Sequence, residues 1–284
     1  MIKKLGIAVL LLAMAVAFAG CGGSNSGEER QTADRTEVKV FAAASMQSSL
    51  EELEKTFEAE HPDVDILLNC DSSGTLMTQI EEGAPCDVFF SAAQKQMDEL
   101  EEKDLIQADS RQNVLNNQLV VITRPDSGTA VTGLENLRDA GSIALADGSV
   151  PVGKYTRQAL INLGILPEVE DPAGITTQQV SDALGGVEIS EQGNVSKVLT
   201  AVEEGSSEVG TVYLSDTCGH EDGVKIIEKV PYDVTGDIIY PIALISNPDA
   251  DDAEKEAAAV VLEWFTNDEA KALYDKYLFD TNVE

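Results

Sequence analysis

The chain has 284 residues, 43% of them hydrophobic, and a formal charge of −32 from 51 acidic against 19 basic side chains. That much apolar material supports two domains with cores of their own and excludes a disordered or disulfide-dependent scaffold. The charge excludes nucleic acid as a partner, because binding it takes basic patches that neutralise phosphates. A small anion would have to be held by short-range dipoles and hydrogen bonds, against the long-range field.

Residues 1–20 read as a signal peptide: Lys3 and Lys4, then an apolar run too short to span a bilayer, then small residues. Ala19-Gly20-Cys21 resembles the lipobox of bacterial lipoproteins, with Phe18 where that pattern usually has leucine. The resemblance implies that Cys21 is lipidated and becomes the mature N-terminus. Residues 21–35, rich in Gly and Ser and without periodicity, are then a flexible tether. The expected location is extracytoplasmic, on a lipid anchor at the cell membrane.

The body opens with residues 38–57, VKVFAAASMQSSLEELEKTF, a β-rich run that passes through three alanines into an amphipathic helix beginning near Ser45. Such a joint leaves the first N–H groups of the helix unpaired at the carboxyl edge of a sheet, which favours an anion. Ser45 is also a good N-cap, and a plain capping role is the competing reading. A second strand over 63–68, a turn over 70–74, a helix over 75–82, a third strand over 86–91 and a helix over 94–102 complete a βαβαβα alternation, the mark of a parallel sheet.

Residues 118–123 (QLVVIT) read as a strand crossing to a second lobe. There, a strand over 142–145, a turn over 147–153 and a helix over 154–163 form another α/β unit, with Pro151 near the first helical turn. Residues 168–193 read as an irregular acidic insertion with a short helix at 178–184. Asn194 caps a helix over 195–204; strands follow over 209–214 and 224–227. The apolar run 238–244 carries Pro241, which argues against a central strand position; it is expected to return to the first lobe, partnering 118–123. A closing helix spans 253–278. The division is thus 36–117 with 239–284 for lobe I, and 118–238 for lobe II.

Three cysteines remain in the body. Cys70, Cys86 and Cys218 are an odd count without CxxC spacing, which argues against a disulfide framework or a zinc site. Buried free thiols are the preferred reading, with a Cys70–Cys86 bridge the alternative. His61 and His220 read as solvated loop residues.

Four helix starts now carry small or capping residues: Ser45, Ser73, the turn 151–153, and Asn194-Val195. Facing one another across a cleft they would offer N–H groups and hydroxyls to one small anion, with Tyr213 adding a further hydroxyl. The segments VFAAASMQSSL (40–50), SSGTLMTQIEEGAPCDVFFSA (72–92), LNNQLVVI (115–122), VPVGKYTRQAL (150–160) and EVGTVYLSD (208–216) resemble the molybdate-binding proteins of ABC transporters. The resemblance implies a two-lobed type II periplasmic-binding-protein fold, each lobe a mixed, mainly parallel sheet flanked by helices, joined by two crossover strands.

It also implies an oxyanion site at Ser45, Ser73 and Tyr213 through hydroxyls and at Val152 and Val195 through backbone N–H. Val180 is the alternative to Val195, and Gly74 stands where the family commonly has another serine. The ligand would be molybdate or tungstate, bound through its oxygens, with no cofactor and no enzymatic activity. The partners would be a small oxyanion and an ABC transporter permease, and the protein a monomer. The rival readings are the same fold holding another oxyanion or ferric iron, and a secreted serine hydrolase with Ser45 or Ser73 as nucleophile. No GxSxG is present for the latter.

Overall fold

A computed structural model describes residues 35–283. The signal peptide, Cys21 and the tether up to Asp34 lie outside them. Arg35, placed by sequence at the end of the tether, already belongs to the body, where its guanidinium pairs with Glu58 at 3.0 Å and Asp65 at 2.9 Å.

The first lobe starts with β1 (Thr36–Ala43), a one-turn 3-10 helix (Ala44–Met46), α1 (Gln47–Glu60), β2 (Val64–Asp71), α2 (Ser73–Glu81), β3 (Val88–Phe90), α3 (Gln94–Glu102) and β4 (Gln112–Asn117). The second lobe runs through β5 (Leu119–Thr123), β6 (Ser142–Ala146), α4 (Pro151–Asn162), α5 (Thr177–Ala183), β7 (Glu188–Gln192), α6 (Val195–Glu203), β8 (Val209–Tyr213), β9 (Lys225–Lys229) and the short α7 (Tyr232–Thr235). The chain then returns through β10 (Ile238–Leu244), α8 (Asp252–Thr266) and α9 (Asp268–Lys276).

Two five-stranded sheets result, in the orders β2-β1-β3-β10-β4 and β7-β6-β8-β5-β9. In the first, β1 is parallel to β2 and β3, and β10 is antiparallel to β3 and β4. In the second, β6 is parallel to β7 and β8, and β5 is antiparallel to β8 and β9. Each sheet is therefore mixed, and its antiparallel member is the strand that follows a passage between lobes. Helices α8 and α9 pack on the first lobe, α8 against β1 and β10 and α9 against α1.

The pairing differs from the sequence expectation in one respect. Residues 118–123 and 238–244 do not partner each other; each is drawn into the sheet of its own lobe. Nor does Pro241 keep β10 at an edge. The register with β4 shifts between Tyr240 and Pro241, and this bulge absorbs the missing N–H inside the sheet.

Two strands escape sequence reading for a common reason. The β4 sequence QNVLNN and the β7 sequence EISEQ lack an apolar alternation, β4 because it is buried on both faces from Val114 onward with Asn116 on one and Asn117 on the other, β7 because it is a solvated edge. The closing helix breaks at Asn267, whose side chain caps α9 by accepting from the Ala270 N–H at 2.8 Å. Cys70, Cys86 and Cys218 are free thiols; Cys70 on β2 and the approach to β3 lie on opposite sides of β1, which keeps the first two apart.

Candidate functional site

Both sheets direct their parallel strands' carboxyl ends, and the helix starts that follow them, toward one place. Ser45, Ser73, Val152, Val195 and Tyr213 line a single small cavity, completed by Ala43, Ala44, Ser72, Ala92, Val150 and Pro151. The wall contains no charged side chain. Val180, the alternative to Val195, sits in the core on α5 and takes no part in it.

Each position has a local cause. Ser45 falls in the 3-10 turn between β1 and α1 and caps nothing; α1 starts at Gln47 without a side-chain cap, and the Ser45 hydroxyl lies 2.9 Å from the Tyr240 phenol instead. Ser72 is the N-cap of α2, its Oγ accepting from the Thr75 N–H at 3.1 Å. Ser73 is thereby released from capping. Its buried Oγ accepts from the Ala92 N–H at 2.9 Å, which leaves its own proton free to donate. Gly74, the departure from the family pattern, has a steric reason: a Cβ there would stand 2.7 Å from the Ser149 carbonyl oxygen of the other lobe.

On the second lobe, Pro151 opens α4 where its missing N–H is no loss. The Val152 N–H, in the first turn, has no intrahelical acceptor and none among the described residues. Gly153 lets the helix start press against the end of β6, since a Cβ would meet the Asp147 and Ala146 carbonyl oxygens at 2.1 and 2.5 Å. Beneath this turn Arg157 is fully buried; it donates to the carbonyls of Ala146 at 2.9 Å, Gly153 at 2.9 Å and Ile175 at 2.7 Å. Sequence reading passed Arg157 over as one more residue of a helix; its fixing of the turn depends on partners the helix pattern cannot disclose.

Asn194 caps α6, its Oδ1 accepting from the Lys197 N–H at 3.0 Å, so the Val195 N–H is likewise left facing the cavity. The Asn194 Nδ2 also donates across to Asp71 at the end of β2, at 2.9 Å. The exposed Lys95–Asp171 ion pair at 2.7 Å is a further contact between the lobes.

Tyr213 ends β8 fully buried, and its hydroxyl has no hydrogen-bond partner among the described residues. Such a group carries a desolvation cost unless something fills the space before it. Burial raises the phenol pKa well above its ordinary value, so the proton stays on and the group remains a donor. The same burial acts on Tyr240, whose ring meets that of Tyr213 edge-on at 5.9 Å. Asp216, beyond β8, accepts from the Tyr213 N–H at 2.8 Å; burial pushes its carboxyl up to about 7.

Neither histidine is hydrogen-bonded to Ser45, Ser72 or Ser73; His220 shares a groove with Ser45 but pairs elsewhere. His61 stacks on Phe57 with centroids 4.4 Å apart, and His220 lies 3.3 Å from the Glu203 carboxylate. His61 is thus packed rather than solvated. No cluster of three or more His, Cys, Asp or Glu side chains fit to hold a metal ion occurs among the described residues.

A two-lobed fold with ligand-facing helix starts at the interlobe cleft defines a solute-binding protein. Residues 38–280 match the family of bacterial extracellular solute-binding proteins, and the chain belongs to that family. It is 34% identical to the molybdate-binding protein ModA of Escherichia coli, over 80% of this chain and 84% of that one. It is 30% identical to the putative ABC transporter substrate-binding lipoprotein YvgL of Bacillus subtilis, over 98% and 99%. Among solved structures, the substrate-binding domain of a putative molybdenum ABC transporter from Clostridium difficile superposes with a TM-score of 0.62 at 31% identity, over 87% of this chain and 99% of that one. The periplasmic molybdate-binding protein of Azotobacter vinelandii shares the fold at a TM-score of 0.70 and 22% identity, over 85% and 98%. The type II fold implied by the motifs is thus the fold observed, and the chain is a solute-binding protein rather than an enzyme.

Proposed function

We propose that this protein captures molybdate, and tungstate with it, in the interlobe cavity and delivers the anion to an ABC transporter permease. It does so as a monomer outside the cytoplasm, held to the membrane by a lipid on Cys21. The names of the relatives support the ligand class. The observation that carries the reading is the cavity itself: a chargeless space between the lobes, lined by helix-start amides and hydroxyls, among them a buried Tyr213 hydroxyl with no partner among the described residues.

In this reading Ser45, Ser73 and Tyr213 give hydroxyl bonds and Val152 and Val195 give amide bonds. A tetrahedral oxyanion has only acceptors to offer. Each charge-assisted bond contributes about 1.5 to 3 kcal/mol, and several together outweigh the repulsion of an acidic surface, which salt screens within about 10 Å. The helix starts of α4 and α6 add their dipoles without any net charge. Size then separates molybdate and tungstate from sulfate, and the lack of an acceptor turns away anions that carry a proton.

A thermal-shift series with molybdate, tungstate, sulfate, phosphate and ferric citrate tests this. Molybdate at roughly 1,000 times its Kd is expected to stabilise the protein by about 4 kcal/mol. No shift with either molybdate or tungstate would sink the proposal, and a shift with ferric citrate alone would favour the iron-binding rival.

A further inference from the structure

A backbone N–H can only donate, but a hydroxyl can donate or accept, and which it does depends on what stands behind it. Behind Ser45 stands a chain of hydrogen bonds whose direction is set at its far end. The Gln118 N–H donates to Asn117 Oδ1 at 2.9 Å. That fixes the amide, so that Asn117 Nδ2 faces the Tyr240 oxygen at 3.1 Å and Ser215 Oγ at 2.8 Å. The Tyr240 oxygen already accepts, and its one proton has a single partner among the described residues, Ser45 Oγ at 2.9 Å. Ser45, now accepting, cannot return its proton to the phenol, and that proton is left for the cavity that Ser45 lines or for the neighbouring groove that it also lines, beside Ser196 and Ser215.

We infer that Tyr240 and Asn117 are positioning residues that lock Ser45 as a donor, and so set the site's specificity for anions that carry no proton. The inference rests on the anion-binding reading above and adds to it the residues that enforce the polarity. Ser73 is locked in the same sense by the main-chain N–H of Ala92, which no substitution short of proline removes. Tyr240 is the one lock that a single oxygen atom controls. Both relay residues are buried, Asn117 at the end of β4 and Tyr240 on β10, where the chain passes between lobes, and the Asn117–Ser215 bond ties the relay to the second lobe. No water is needed to complete it.

The test compares two dianions of like shape. In mildly alkaline solution sulfate has no proton and hydrogen phosphate has one. Isothermal titration of the full chain with molybdate, sulfate and hydrogen phosphate would be run on the wild type and on Tyr240→Phe. Without the phenol no donor holds Ser45 Oγ from behind, and the hydroxyl is free to turn a lone pair toward the phosphate proton, so the affinity ratio of sulfate to hydrogen phosphate is expected to fall by about tenfold. A variant that merely loosens the fold weakens both dianions alike and leaves the ratio where it was.

Asn117→Leu keeps the phenol but removes the donor that fixes its direction; it is expected to move the ratio the same way by a smaller factor, and it serves if Tyr240→Phe does not fold. Adding Ser45→Ala to Tyr240→Phe is expected to abolish the gain for phosphate. A folded Tyr240→Phe that binds molybdate but shows an unchanged ratio or still no binding of hydrogen phosphate, or a gain that survives Ser45→Ala, overturns the inference alone. A wild type that binds none of these anions overturns the proposed function and the inference with it.

Discussion

The two walls of the cavity present donors of different kinds. The first lobe supplies serine hydroxyls whose direction comes from distant partners: Ser45 from Tyr240, 195 positions along the chain, and Ser73 from the Ala92 N–H, 19 positions away. The second lobe supplies the amides that open α4 and α6, aimed by a local proline, a local glycine and a local asparagine cap, together with Tyr213, whose hydroxyl has no partner among the described residues. Amides donate whatever surrounds them. Hydroxyls must be told to. The second lobe's wall is therefore built by helix geometry, and the first lobe's by hydrogen-bond polarity.

The largest test of this contrast is Gly153→Ala. Its Cβ would sit 2.1 Å from the Asp147 carbonyl oxygen and push the α4 start off the sheet, so that the Val152 N–H no longer faces the cavity. A loss of about 3 kcal/mol of stability in urea unfolding is expected, with molybdate affinity falling by about a hundredfold in titration calorimetry. A variant with wild-type affinity would show that α4 geometry does not set this wall.

Asp216 probes the same lobe through pH. The folded protein keeps a proton on this carboxyl up to about pH 7, whereas the ordinary value is 3.8. The folded state thus binds more protons than the unfolded chain between these values, and the contribution of Asp216 to stability declines as pH rises through that window and is level above it. Asp216→Asn removes the penalty while leaving an oxygen to accept the Tyr213 N–H. Relative to wild type it is expected to gain about 2 kcal/mol between pH 5 and pH 8 in denaturant unfolding. A difference that does not change with pH would contradict the assignment.

The finest comparison sets Ser73→Ala beside Tyr213→Phe. Each removes one hydroxyl, and each is expected to weaken molybdate binding by roughly tenfold. Their effects on the unliganded protein part company. Ser73→Ala leaves the buried Ala92 N–H without an acceptor and is expected to cost about 1 to 2 kcal/mol of stability. Tyr213→Phe breaks no bond within the protein and is expected to leave the unliganded Tm unchanged or raised. Equal Tm losses in the two variants would mean that the Tyr213 hydroxyl has a protein partner after all.

Much of the molecule was legible along the chain because its causes are local. The alternation of strand and helix, Pro151 at a helix start and Asn194 as a cap can each be read within a few residues of themselves, and they mark where the cavity wall runs. Polar strands were not legible. In β4 both faces are buried and each carries an asparagine, Asn116 bonded to Asp237 and Asn117 to Ser215, so no apolar period betrays it. Nor could the sequence foresee that β10 would sit beside β3 and β4 rather than β5, because Pro241 forbids a regular interior strand and only a bulge permits one.

What the sequence determined by itself is therefore the inventory: two α/β lobes, the helix starts with free amides, and the serines and tyrosine at sheet edges, all fixed by short-range propensity and capping. What only the tertiary structure decided is direction. Ser45 donates rather than caps because Tyr240 lies behind it, the α4 turn is rigid because Arg157 reaches its carbonyls, and Tyr213 is left unpaired because the fold buries it. Hydrogen-bond polarity is a property of pairs, and the partners in these pairs meet only when the chain has folded.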